Sequence, residues 1–199
     1  MPDMFNGDPI PEDALTNPPA NVCDLMRHGT ALLWYAHAYV QFDRAKWGEA
    51  HGMESSRPIV DNLIAGLRQR GITTFGAVGY CYGARHVIDL AKENTIASAA
   101  VAHPSRLTIP ADFHDLVEKS KAPLLINSCE VLDNLETKLH LGTNNCDQTD
   151  GAFPKEFCEH ADDILGNGKY KPGYSRQHWM GCTHGFAVRS SLYKKIVIC

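Results

Sequence analysis

Residues 72–79 form a short, apolar, β-prone run that stops at Gly79-Tyr80-Cys81-Tyr82-Gly83, after which residues 84–93 follow a helical pattern with Val87, Ile88 and Ala91 on one side. Two more apolar runs come at 96–102 and 122–126. Near-continuous apolar strands are expected where both faces of a sheet are covered, and strands alternating with helices imply right-handed parallel crossovers. The pattern predicts an α/β fold with a parallel sheet. Upstream, Ile59, Leu63, Ile64 and Leu67 recur at helical spacing, with Arg57-Pro58 as the expected start and Gly71 as the expected left-handed cap. Residues 31–42 suit a further helix, and 174–180 a last strand after the glycine-rich turn 166–173. Pro2, Pro9, Pro11, Pro18 and Pro19 make the first stretch an extended arm.

With 199 residues the chain has the length of one domain, spanning 1–199. A net charge of -4 and the lack of a basic stripe argue against a nucleic-acid partner. No stretch approaches the roughly 18 to 20 apolar residues that span a bilayer, and the N-terminus has neither a basic nor an apolar signal region. The expected compartment is the cytoplasm. Seven scattered cysteines suit reduced thiols better than a disulfide framework.

In a turn from strand to helix, Gly-x-Cys-x-Gly has the features of a nucleophile elbow. The central residue is held in a strained conformation, and residues two positions away must be small because the backbone passes close by. Cys81 is the candidate nucleophile. The backbone N–H of Tyr82 would face the oxygen of a bound carbonyl at a helix start, where positive partial charge also favours a thiolate. The thiol needs a base. Among ten histidines, His184 lies after every predicted strand, flanked by small residues, as the order nucleophile, acid, histidine demands. His103, at the end of the 96–102 run, is its rival. Asp133, Asp147 and Asp150 all fall where the acid should stand, and spacing does not choose among them. Arg85 and Arg189 are candidates for steering an anionic substrate.

The chain resembles the dienelactone hydrolase family, in particular its fungal branch, across residues 5–14, 57–131 and 150–189. The resemblance is carried by Phe5-Asn6-Gly7-Asp8-Pro9-Ile10-Pro11, the 75–85 elbow segment, Ala122-Pro123-Leu124-Leu125-Ile126-Asn127-Ser128-Cys129-Glu130, and Gly181-Cys182-Thr183-His184-Gly185-Phe186-Ala187-Val188-Arg189. It implies an α/β-hydrolase fold and a Cys-His-Asp triad, with Cys81 as nucleophile and His184 as base. The substrate class it implies is a small ester or enol-lactone, hydrolysed through a thioester acyl-enzyme without a cofactor. It also selects Asp150 as the acid, because Asp150-Gly151-Ala152-Phe153-Pro154 fits the family's Asp-x-x-Phe-Pro pattern.

The chain departs from that pattern in four places. Residues 27–44 and 132–149 have no counterpart and read as retained introns or gene-model errors, which transcript reads running through them would reject. The family's first strands would precede Phe5, including a loop with a second oxyanion donor and a glutamate near the resting thiol. A closing helix would replace residues 190–199. The expectation is therefore an incomplete carboxylesterase-type hydrolase, and its rival is a non-catalytic remnant binding a partner through an exposed sheet edge. A metal site built on Cys182 and His184 is not expected, since a closed zinc site needs four converging ligands and no such spacing occurs.

Overall fold

The structure, a computed structural model, describes residues 3–11, 42–130, 150–180, 182 and 184–188. Asp133, Asp147, Arg189, the 132–149 surplus, most of the 27–44 surplus and nearly all of the predicted 31–42 helix lie outside these residues. Residue contacts divide the chain into two compact units, Met1–Gly71 and Ile72–Cys199.

The first unit holds α1 (Arg44–Ala50) and α2 (Met53–Gln69). Asp43 caps α1 by accepting the Lys46 N–H at 2.9 Å. The Phe5-Asn6-Gly7-Asp8 segment docks here: Trp47 Nε1 donates to the Asp8 carbonyl at 2.9 Å, and the Phe5 and Trp47 rings lie 5.0 Å apart. Helix α2 begins before the expected Arg57-Pro58 start and carries Pro58 inside it. A proline in the second turn forfeits one backbone hydrogen bond, and this one lies on the exposed side. The buried stripe is Ser56, Val60 and Ile64, whereas Leu63 is exposed. Gly71, at φ +84°, closes the helix as predicted, its N–H bonding the Arg68 carbonyl.

The second unit is a four-stranded parallel sheet in the order β1 (Gly76–Tyr80), β2 (Ser98–Ala102), β3 (Leu124–Glu130) and β4 (Tyr174–Met180). Helices α3 (Gly83–Lys92), α4 (Ala111–Lys119) and α5 (Lys155–Leu165) join successive strands. Crossovers of one hand between strands laid down in sequence order put all three helices on one face, where α3 packs on β1 and β2, and α4 lies between α3 and α5. Ile88, Val101, Phe113, Leu116, Ile126 and Leu165 fill the space between helices and sheet. On β1 the burial is one-sided, contrary to the expectation from its apolar run: Val78 and Tyr80 are 64% and 43% exposed.

Strand β3 runs past the predicted apolar run into Asn127 and Ser128. Polar residues are tolerated there because Asn127 Oδ1 accepts from Trp179 Nε1 at 3.0 Å, and Arg176 Nη1 reaches Ser128 Oγ at 3.1 Å. Strand β4 matches its predicted bounds. Among the described residues no helix is long and apolar enough to cross a membrane.

Candidate active site

The four parallel strands each deliver a group to the carboxyl edge of the sheet, the usual location of binding crevices in open α/β sheets. Cys81 follows β1, His103 and Ser105 follow β2, Asp150 lies beyond β3, and His184 lies beyond β4.

Cys81 has φ +47°, a left-handed conformation that is strained for a residue with a side chain. Three backbone contacts hold it. Its N–H bonds the Ala102 carbonyl, and its carbonyl accepts the N–H groups of Ala84 and Ser105, each at 3.1 Å. The steric demand of the turn falls on only one of the two expected glycines. A Cβ at Gly79 would meet the Gly83 carbonyl oxygen at 2.5 Å, whereas one at Gly83 would meet nothing within 4 Å. Tyr82 is the N-cap of α3, so its peptide sits at the positive end of that helix.

His184 Nε2 lies 2.9 Å from Cys81 Sγ, and its Nδ1 lies 2.7 Å from Asp150 Oδ1. The Asp150 carboxylate is buried, at 3% exposure, and is held from several sides. Oδ1 also accepts the N–H groups of Ala152 and Phe153 at 3.0 and 3.1 Å, and Oδ2 accepts the Cys129 thiol at 3.6 Å. The Asp-Gly-Ala-Phe-Pro segment thus folds as a turn around its own first side chain, ending at Pro154, the N-cap of α5.

The electrostatics follow from these contacts. Burial alone would push the Cys81 thiol up; the imidazoles of His103 and His184, the His184 charge and Ser105 outweigh it and bring the thiol down to about 5. His103 makes no hydrogen bond from either ring nitrogen to a described residue, so we assign the larger share of this pull to His184, in direct contact with the sulfur. Burial would lower His184, but its bonds to Asp150 and Cys81 raise it to about 9. Asp150 is pushed up by burial and held below the usual carboxylate range by His184 and by the two backbone N–H groups. These shifts favour a thiolate beside an imidazolium, backed by a carboxylate, at neutral pH.

His103 and His184 both reach the sulfur, but only His184 bridges it to the carboxylate. Arg85 is committed elsewhere: its Nη1 donates to Asp112 at 2.6 Å and its Nε to Asp89 at 2.9 Å, tying α3 to the start of α4. Both carboxylates also pair with Lys92. Sequence reasoning missed Ser105, whose Oγ is 3.6 Å from Cys81 Sγ, and the thiol contact of Cys129 with Asp150. Neither has a local sequence signal, because each contact is made only when the strands assemble. Cys81, Cys129, Cys158 and Cys182 are free thiols.

The chain is similar to several known proteins. "Hydrolase pyvD" of Aspergillus violaceofuscus is 27% identical over 195 residues, covering 98% of this chain and 60% of that protein. "Hydrolase tropI" of Talaromyces stipitatus is 26% identical over 201 residues, covering 96% of this chain and 60% of that protein. "Dienlactone hydrolase 1" of Gibberella moniliformis is 40% identical over 87 residues, covering 42% of this chain and 31% of that protein. The chain therefore spans at most 60% of the length of these relatives. The model of the dienelactone hydrolase family matches residues 36–139, more than half of the chain, and the chain belongs to that family.

Proposed function

We propose that this chain hydrolyses carboxylic esters or enol-lactones, with Cys81 as nucleophile, His184 as acid and base, and Asp150 as the group that orients His184. The observation that carries the reading is the unbroken series Cys81 Sγ to His184 Nε2 at 2.9 Å and His184 Nδ1 to Asp150 Oδ1 at 2.7 Å. The family and the printed names of the relatives support the reaction class.

In this reading the thiolate attacks the substrate carbonyl carbon, and the C=O electron pair moves to oxygen. The Tyr82 N–H, at the helix start, stabilises that oxyanion. As the tetrahedral species collapses, the carbon–oxygen bond to the leaving group breaks and His184 gives its Nε2 proton to the departing oxygen. A Cys81 thioester remains. His184, now neutral, takes a proton from water, the hydroxide adds to the thioester carbon, and the acid product leaves as the thiolate returns. Asp150 keeps the imidazole oriented and balances its charge throughout. Of the two arginines, Arg189 alone is proposed as a substrate-steering group, for the carboxylate-bearing subset of esters, since Arg85 is held by Asp89 and Asp112. We also propose the cytoplasm as the compartment, since its reducing poise keeps a reactive thiol free; fractionation that recovers the protein only from the medium sinks this.

Exposure of the purified chain to an activated ester tests the reaction by intact mass. An acyl adduct mapped to Cys81, absent in Cys81→Ala and His184→Ala, is the expected result. No adduct on a folded protein means a non-catalytic binding protein instead.

A further inference from the structure

His103 has no role in the mechanism above, yet the local structure invests in it. Its side chain is fully buried, and neither ring nitrogen has a hydrogen-bond partner among the described residues. A buried imidazole left this way forgoes hydrogen bonds it would make in water. Its backbone is at φ +39°, left-handed and costly for a residue with a side chain, and is fixed by the Asn127 carbonyl. The nearby residues Ala102 and Ser105 supply two of the three hydrogen bonds that hold the Cys81 backbone. The ring is thereby turned toward the sulfur: its centroid is 4.9 Å from that of His184, edge to face, and one ligand atom each from Cys81, His103 and His184 lie within 4.8 Å of one another.

We propose that Cys81, His103 and His184 form a binding site for Zn²⁺ that reversibly blocks the reactive thiol. One thiolate and two imidazoles are a donor set suited to this borderline-soft ion. Zn–S and Zn–N bonds of about 2.3 and 2.0–2.1 Å require ligand atoms roughly 3.4–3.6 Å apart in a tetrahedron, within reach of small rotations of the three side chains. The outer contacts fit as well. A metal-bound histidine commonly donates its other ring nitrogen to a carboxylate, and His184 Nδ1 already faces the buried Asp150. The ion takes the sulfur lone pair that would attack the carbonyl and displaces to water the proton held by His184 Nε2. The fourth coordination position is left to water. Cys182, weighed with His184 as a metal ligand and set aside on its spacing, is not part of this group.

As regulation of turnover, the inference rests on Cys81 being the nucleophile; as metal binding, it does not. The experiment therefore uses a readout independent of hydrolysis. Titration of the full chain with Co²⁺, a spectroscopic stand-in for Zn²⁺, is expected to give a thiolate-to-metal charge-transfer band saturating at one equivalent. Zn²⁺ should compete for the site and protect Cys81 from iodoacetamide, with EDTA restoring labelling. Cys81→Ala should lose the band. His103→Phe and His103→Asn, one keeping a ring and the other a polar group at the buried position, should each weaken binding by about 10- to 100-fold or more, since loss even of a supporting outer contact costs that much. An absent band, a band that persists in Cys81→Ala, or unchanged affinity in a folded His103 variant overturns the proposal. A chain that forms the Cys81 acyl adduct but no Co²⁺ complex loses only the metal site. One that binds Co²⁺ through Cys81 but never acylates loses only the hydrolase reading.

Discussion

Cys81 and Cys129 are both withdrawn from water at the carboxyl end of the same sheet, and burial pushes both thiols up. At Cys81 the neighbours are imidazoles, and the thiol falls to about 5. At Cys129 the neighbour is the Asp150 carboxylate, which adds to burial and drives the thiol far above its ordinary value. Both sulfurs connect to Asp150, one through His184 and one directly. The comparison shows that burial alone does not decide whether a thiol is reactive; the sign of the adjacent charge does. One sulfur lies beside imidazoles that favour its thiolate, and the other donates to the Asp150 carboxylate.

The sharpest break would come from Cys81→Ala. It should lower hydrolysis of an activated ester by at least about 10⁴-fold, since removing a nucleophile disables the whole catalytic unit. Cys129→Ser, in contrast, keeps a donor to Asp150 and should retain most activity. Equal losses in steady-state assays of the two variants would erase the distinction. Asp150→Asn should cost about 10³- to 10⁴-fold by releasing His184 from its orientation. It also removes the charge beside Cys129, so the Cys129 titration should move back toward the ordinary range when followed by thiolate absorbance; an unmoved Cys129 would make burial its whole cause.

Reagent selectivity is the next effect down. At pH 7 iodoacetamide should label Cys81 at least about 100-fold faster than Cys129, from the difference in thiolate content alone. The pH dependence has a definite sign. The Cys81 pKa is depressed, so its thiolate is present above about 5 and lost as pH falls through that value. The His184 pKa is raised, so its proton is kept until pH rises through about 9. Labelling should therefore fall about tenfold per unit below pH 5, while ester turnover also declines above pH 9. A labelling midpoint near 9 would mean that the imidazoles do not act on the sulfur.

The smallest effects concern the turn that presents Cys81. Gly79→Ala should destabilise the fold by about 1–3 kcal/mol in urea denaturation, because its Cβ would strike the Gly83 backbone. Gly83→Ala meets no such obstacle and should be neutral or stabilising by up to about 1 kcal/mol. Similar losses in both would return the steric demand to both flanks.

This asymmetry also marks how much could be read from the sequence. The elbow was legible because a close approach within five residues leaves a local trace, here Gly79. The late position of His184 was legible because chain order limits which histidine can follow the last strand. Asp150 was not separable from Asp133 and Asp147 by spacing, and family resemblance alone selected it. The parts that failed depend on contacts between distant strands. Ser105 reaches Cys81 and Cys129 reaches Asp150 only once the sheet forms. His103 was noticed as a rival to His184, but its place beside it, in a loop that also holds the Cys81 backbone, is a property of the β1–β2 pairing. Arg85 looked available for an anion; Asp89, one turn along the same helix, was the local sign that its charge has a partner.

The strand order has one more consequence. Cys81 and His184 stand 103 residues apart and follow the two edge strands, β1 and β4, so their atoms meet only because His184 lies back across the end of the sheet. Neighbouring strands are spaced at about 4.8 Å by backbone hydrogen bonding, whatever the connections contain. The sheet is thus a ruler for the site: it fixes a gap of about three strand spacings between β1 and β4 that the placement of His184 has to close, however much the crossovers lengthen or diverge.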